Sequence, residues 1–162
     1  GYKFTPHIKN RVSIWLDPWS DIMGKGFQIT QSLFAIASGG YFGTGLGQGS
    51  PYSIPEVHTD FIFSAICEEM GVFTGIAIIL IYFLFSYRGA KIALNTKNEF
   101  CKALAILLTV SFAYQTFIIV GGVIKLIPLT GITMPFVSYG GSSLVSCFIS
   151  MGILVAISYT EK

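Results

Sequence analysis

Met70-Gly-Val-Phe-Thr-Gly-Ile-Ala-Ile-Ile-Leu-Ile-Tyr-Phe-Leu-Phe-Ser-Tyr87 is a run of 18 residues without a single charge. At about 1.5 Å per helical residue it just covers the hydrocarbon core of a bilayer. The whole chain has 162 residues, 52% hydrophobic and 11% charged. A soluble domain carries about 25% charged residues, so this is a membrane protein. The charges are also clustered. None lies between Glu69 and Arg88, between Lys102 and Lys125, or between Lys125 and Glu161.

Two more spans follow, at about Ala103–Ile124 and Ser142–Thr160. Gln115 and the pair Gly121-Gly122 in the first of these read as helix-packing features. The uncharged run before the last span reaches back to Leu126, too long for one helix, and Pro128, Gly131, Pro135 and Gly140-Gly141 break it. Irregular backbone at membrane depth is tolerated only against protein or a water-filled cavity. Residues 125–141 are therefore expected to form a re-entrant loop. The fold expected is an all-α membrane protein, a polytopic helical bundle fragment.

The loop 88–102 holds Arg88, Lys91, Lys97 and Lys102 against one acid, Glu99. By the positive-inside rule it is cytoplasmic. Residues 1–69 and 125–141 then face outward, and the chain divides into a large extracellular loop region (1–69) and three spans (70–162). The start lacks both an apolar signal segment and an initiator Met, so the chain is expected to begin mid-protein, as a C-terminal piece. The net charge of +2 gives no case for nucleic acid. Cys67, Cys101 and Cys147 are widely spaced, with no metal or disulfide pattern.

Trp15-Leu16-Asp17-Pro18-Trp19 reads as a turn between two indoles suited to a membrane interface. Phe27–Ala37 reads as an amphipathic interfacial helix. Ile29, Leu33, Ile36 and Gly40 lie on one side of it, and Gln28, Gln31, Ser32 and Ser38 on the other. Gly39, Gly40, Gly43, Gly45, Gly47 and Gly49 follow. They lack a phosphate-loop pattern and fit either a connector or a lining for a substrate.

Ile54-Pro-Glu56-Val-His58-Thr59-Asp60-Phe-Ile-Phe63 brings two carboxylates and an imidazole to the mouth of the first span. Ionisable groups are costly there and mark a place where a polar substrate meets the membrane. Glu56 either supports Asp60 or caps a helix. His58 suits proton transfer; a metal role lacks a second histidine at ligand spacing, since His7 is remote. A continuous helix would put Asp60, Ser64, Cys67 and Glu68 on one face, with Glu68 and Glu69 ordering the loop or marking the interface. Ser142 or Ser143 suits capping of the last span.

Several motifs occur in one order: Arg11…Trp15-Leu-Asp-Pro-Trp19, Gln31-Ser-Leu-Phe-Ala35, Gly45-Leu-Gly-Gln-Gly49, Pro55-Glu-Val-His-Thr-Asp-Phe-Ile-Phe63, Glu68-Glu69-x-Gly71 and Pro135-Phe-Val-Ser-Tyr-Gly-Gly-Ser-Ser143. With them the chain resembles, over nearly its whole length, the C-terminal part of the SEDS (shape, elongation, division and sporulation) family, the FtsW/RodA/SpoVE group. The resemblance implies a ten-span bacterial cell-membrane protein. It implies a peptidoglycan glycosyltransferase that polymerises lipid II and works with a class B penicillin-binding protein. It also implies that Asp60 is the essential acid. The stretch Val120–Thr130 leaves the branch open.

The chemistry implied asks for a base near the acceptor hydroxyl and for cations or backbone donors near a lipid-pyrophosphate leaving group. Arg11 and Lys25 are the candidates for the latter, each with an alternative reading as a headgroup anchor. Glu56, His58, Thr59 and Ser138 are further candidate substrate contacts. No cofactor is expected, and a divalent cation stays open. Two other classes of function remain beside the enzyme: a lipid II flippase or other transporter, and a non-catalytic scaffold for a penicillin-binding protein.

Overall fold

The computed structural model describes residues 6–24, 26–50 and 54–160, with side chains from residue 10 onward. Every regular element among them is helical. α1 spans Pro6–Leu16, a short 3-10 turn spans Pro18–Asp21, and α2 spans Phe27–Gly39. The three long helices are α3 (Ile62–Asn95), α4 (Glu99–Val123) and α5 (Gly141–Thr160). Each of these three is long and apolar enough to cross a membrane. Much of their apolar surface points away from the chain; Leu80, Phe83, Leu107, Phe117 and Phe148 are all exposed. In water that would be a liability, but against lipid or further spans it is expected.

The helix bounds differ from the hydropathy reading. α3 starts at Ile62, eight residues before Met70, and runs to Asn95, so Arg88 and Lys91 sit on its last turns. The connection to α4 is only residues 96–98, not the whole of 88–102. Hydropathy finds where charges begin, but Lys and Arg are good helix formers and continue a helix past the apolar run. Asn98 sets the next start by accepting from the Phe100 and Cys101 N–H groups at 2.9 and 3.3 Å. A helix over Pro6–Leu16 was not foreseen; the Asp17-Pro18 turn lies between it and the 3-10 turn, with Asp17 capping Trp19.

α3 is not continuous. Gly71 has φ 82° and ψ 166°, outside the helical region. The break frees backbone groups, and the glycine-rich segment takes them up. Thr44 and Gly45 donate to the carbonyls of Glu68 and Glu69 at 2.9 and 3.0 Å, while Val72 donates to the Gly40 carbonyl at 3.0 Å. The approach is so close that a Cβ on Gly71 would fall 2.2 Å from the Tyr41 oxygen, and one on Gly43 2.2 Å from the Glu69 oxygen. The glycines thus serve close backbone pairing at a helix break.

α2 packs on the first part of α3. Ser32 and Thr30 are fully buried, and Ser32 Oγ lies 2.6 Å from Ser64 Oγ. This corrects the amphipathic reading, which put Ser32 on the polar side. Small hydroxyl residues let two helices approach and bond across the seam, so they occupy the packed face.

Residues 124–140 form turns rather than helix. Phe136 stacks on Phe112 of α4, with ring centres 5.7 Å apart, and meets Phe148 of α5 edge-on. The Tyr82 hydroxyl of α3 donates to the Pro135 carbonyl. One apolar core joins Phe61, Phe63, Ile119, Val123 and Met134. A second joins Ala93, Ala105, Phe112, Cys147, Leu154 and Ile157. The first core underlies the site described next.

Candidate active site

Asp60 sits in a turn, two residues before α3 begins. The Thr59 and Asp60 N–H groups both donate to the Glu56 carbonyl at 3.2 Å, and the Thr59 hydroxyl donates to the same oxygen at 3.1 Å. Glu56 holds a φ of 58°, which is uncommon for a side-chain-bearing residue. Buried Ile54, Val57 and Phe61 pin the turn to the core. The apolar members point inward, and Asp60 is left half-buried.

Three segments far apart in sequence meet there. Arg11 and Ile14 of α1, Gln28 and Ile29 of α2, and Leu129 and Gly131 of the 124–140 segment line a pocket with Asp60, about 140 Å³ in volume. Gly131 has φ 74°, and a Cβ there would lie 3.3 Å from Asp60 Oδ2. Arg11 Nη1 donates to the Leu129 carbonyl at 3.0 Å. Trp15 Nε1 donates to the Lys125 carbonyl at 3.0 Å, and Lys125 Nζ to the Leu16 carbonyl at 3.4 Å. α1 is thereby stapled to the far loop.

The carboxyl of Asp60 is held above its ordinary value of 3.8. Burial is the main cause, and the negative charge of Glu56 adds to it. The nearby Thr59 side chain and the positive charge of Arg11 act in the opposite direction. Desolvation wins, so Asp60 is a stronger base than an exposed aspartate.

Ser138 does not line the pocket but braces it. Its hydroxyl donates to the Thr59 carbonyl at 2.6 Å and accepts from the Met134 N–H at 2.8 Å. The Tyr139 N–H donates to the His58 carbonyl at 2.8 Å. The 134–139 turn is thus laid against the backbone beside Asp60.

The sequence candidates separate accordingly. Asp60 and Arg11 share the pocket. Thr59 acts through the turn and Asp60. Glu56 is exposed and acts through its charge. His58 is exposed and absent from the pocket lining. Lys25 lies outside the described residues. The shared face proposed for Asp60, Ser64, Cys67 and Glu68 fails, because Asp60 precedes the helix. Ser64, Cys67 and Glu68 are buried along α3. Glu68 accepts from the Ser50 N–H at 3.1 Å through Oε1, which ties down the glycine-rich segment. Gln28, Leu129 and Gly131 were not singled out as site residues. The signal available was the breaker Gly131 in an uncharged run.

The family described as "Cell cycle protein", FtsW/RodA/SpoVE, matches residues 3–162. The chain is 49% identical over 162 residues to the protein named peptidoglycan glycosyltransferase RodA of Mycobacterium tuberculosis, covering 100% of this chain and 34% of that protein. It is 43% identical over 155 residues to stage V sporulation protein E of Bacillus subtilis, covering 94% of this chain and 42% of that protein. A chain from a solved structure described as "Structural coordination of polymerization and crosslinking by a peptidoglycan synthase complex" superposes with a TM-score of 0.77 at 27% identity. That match covers 98% of this chain and 43% of the other. The chain therefore spans about a third of the length of its mycobacterial relative. It belongs to the FtsW/RodA/SpoVE family of cell cycle proteins.

Proposed function

We propose that this chain forms the catalytic end of a peptidoglycan glycosyltransferase that polymerises lipid II, with Asp60 as the general base. The carrying observation is the half-buried Asp60 carboxyl, held above its ordinary value and sharing a pocket with the Arg11 guanidinium. The names of the relatives support the reaction class.

The acceptor's 4-hydroxyl gives its proton to Asp60 as its oxygen attacks the anomeric carbon of the donor. The bond from that carbon to the lipid pyrophosphate breaks, and the pyrophosphate leaves with the electron pair. Arg11 offsets its charge. A pocket of about 140 Å³ accepts a hydroxyl-bearing edge rather than a disaccharide, since small-molecule sites run to about 300–1,000 Å³. The remaining spans of the full-length protein complete the cavity. A class B penicillin-binding protein is the partner proposed for cross-linking.

In this reading the Asp60 end faces outward and the 96–98 connection faces the cytoplasm, by the clustered cations of Arg88, Lys91, Lys97 and Lys102. Labelling with an impermeant thiol reagent in intact cells checks it. A cysteine introduced at position 48 should react and one at 97 should not; the reverse pattern overturns the orientation. Residues 72–95 alone make a helix of ~36 Å. Asp60 thus precedes the span instead of lying at its middle, which favours surface chemistry over midplane transport.

The deciding experiment is polymer formation from purified lipid II by the full-length protein with its partner. Asp60→Asn should keep membrane insertion and partner binding but lower the rate by ~10²–10⁴. Near-normal synthesis by a well-folded Asn variant would overturn the assignment of Asp60 as the base and move that role to Glu56, Glu68 or a residue in the rest of the full-length protein.

A further inference from the structure

The end of the bundle away from Asp60 carries two adjoining cavities of contrasting chemistry. The first, about 510 Å³, has a mixed lining: Arg88, Lys91, Asn95 and Thr96 of the α3 end and Ser158 of α5 supply cationic and polar groups beside Ile92 and Ile157. The second, about 500 Å³, runs between α3 and α5 along Leu84, Phe85, Met151, Leu154 and Val155. Arg88, Ile92 and Ser158 line both. No acidic side chain lines either one among the described residues.

Arg88 and Lys91 are three positions apart on a helix, so they share a face. A positive-inside bias alone requires cations near the span ends but no cavity beside them. Cations at a helix C-terminus also complement its dipole, but that again leaves the apolar slot unexplained. Together the features describe a ligand with an anionic head and a hydrocarbon tail, reaching the protein from the bilayer. Basic pockets between transmembrane helices suit lipid phosphates in this way.

We propose that this end binds one anionic phospholipid, with its phosphate between Arg88 and Lys91 and one acyl chain along the slot between α3 and α5. The site is independent of the Asp60 reading. It gives the helix pair a lipid-dependent brace, because α3 and α5 meet the same molecule.

The test uses the full-length protein, purified with either phosphatidylglycerol or phosphatidylcholine of identical acyl chains, and native mass spectrometry of the retained lipid. Wild type should retain phosphatidylglycerol in preference. R88Q/K91Q should lose that preference roughly tenfold or more. Ser158→Trp fills the junction of the two cavities without altering charge and should also lower retention. Inorganic phosphate should not displace the lipid. Equal retention of both lipids by wild type overturns the proposal, and so does unchanged retention in either variant. Displacement by inorganic phosphate alone would mean a phosphate site without a lipid tail. Absence of any adduct also overturns it, another span of the full-length protein then covering the slot.

Discussion

Ser138 Oγ donates to the Thr59 carbonyl at 2.6 Å, so a hydroxyl 79 positions downstream fixes the peptide that carries Asp60. The same oxygen accepts the Met134 N–H. One small side chain therefore satisfies two backbone groups and couples the 134–139 turn to the candidate base. Ser138→Ala removes this partner from the buried Met134 N–H and from the part-buried Thr59 carbonyl. Each such loss costs about 1–3 kcal/mol. The variant should unfold at lower temperature and polymerise more slowly, chiefly through kcat, since Asp60 is loosened more than substrate binding. Unfolding and kinetics identical to wild type would show that the bond carries no weight.

The acid limb of the pH–rate profile should report Asp60. Only the ionised carboxylate takes a proton, so activity is lost as pH falls through its folded value, which lies above 3.8. Stability runs the other way. A carboxyl raised by burial contributes stability that is present below its unfolded value and lost as pH rises through the folded one. Asp60→Asn should therefore be more stable than wild type at neutral pH, with the difference vanishing in acid. Thermal unfolding of both proteins across pH checks this; an Asn variant less stable at neutral pH contradicts the assigned cause.

Arg11 opposes the rise in the Asp60 value and bonds the Leu129 carbonyl. Arg11→Ala should move the acid limb to higher pH and weaken use of lipid II roughly tenfold or more, as the loss of a charge-assisted contact implies. Arg11→Lys should restore the acid limb but not the directed bond to Leu129. An unmoved pH profile in the Ala variant would remove Arg11 from the electrostatics of the site.

Gly71→Ala should be among the most damaging changes outside the pocket. The residue has φ 82°, and a Cβ would lie 2.2 Å from the Tyr41 oxygen and 2.6 Å from the Gly43 nitrogen. Both contacts are with backbone and cannot swing away. Loss of folded protein is expected by fluorescence-detected size exclusion. Gly152→Ala, within α5 with no atom within 4 Å, serves as the control. It should be neutral or stabilise by up to ~1 kcal/mol. Equal behaviour of the two variants would mean that the break at Gly71 can relax.

Hydropathy and charge placement determined the membrane class and the three long helices, and the helical spacing of Ile29, Leu33 and Ile36 the helix over residues 27–37. These are local sums over neighbouring residues, and transfer into lipid depends on such sums. The ordered motifs also singled out Asp60 and Arg11. The tertiary structure decided what Asp60 faces. Its pocket draws on α1, α2 and a turn near Gly131, segments whose meeting no local pattern encodes. It also decided that the glycines pair with the break in α3, that Ser32 is buried, and that Ser138 braces the turn instead of lining the pocket. The reason is common to all three. A backbone donor or a small hydroxyl can be satisfied by many partners. Which partner it takes depends on the segments that packing brings within about 3 Å.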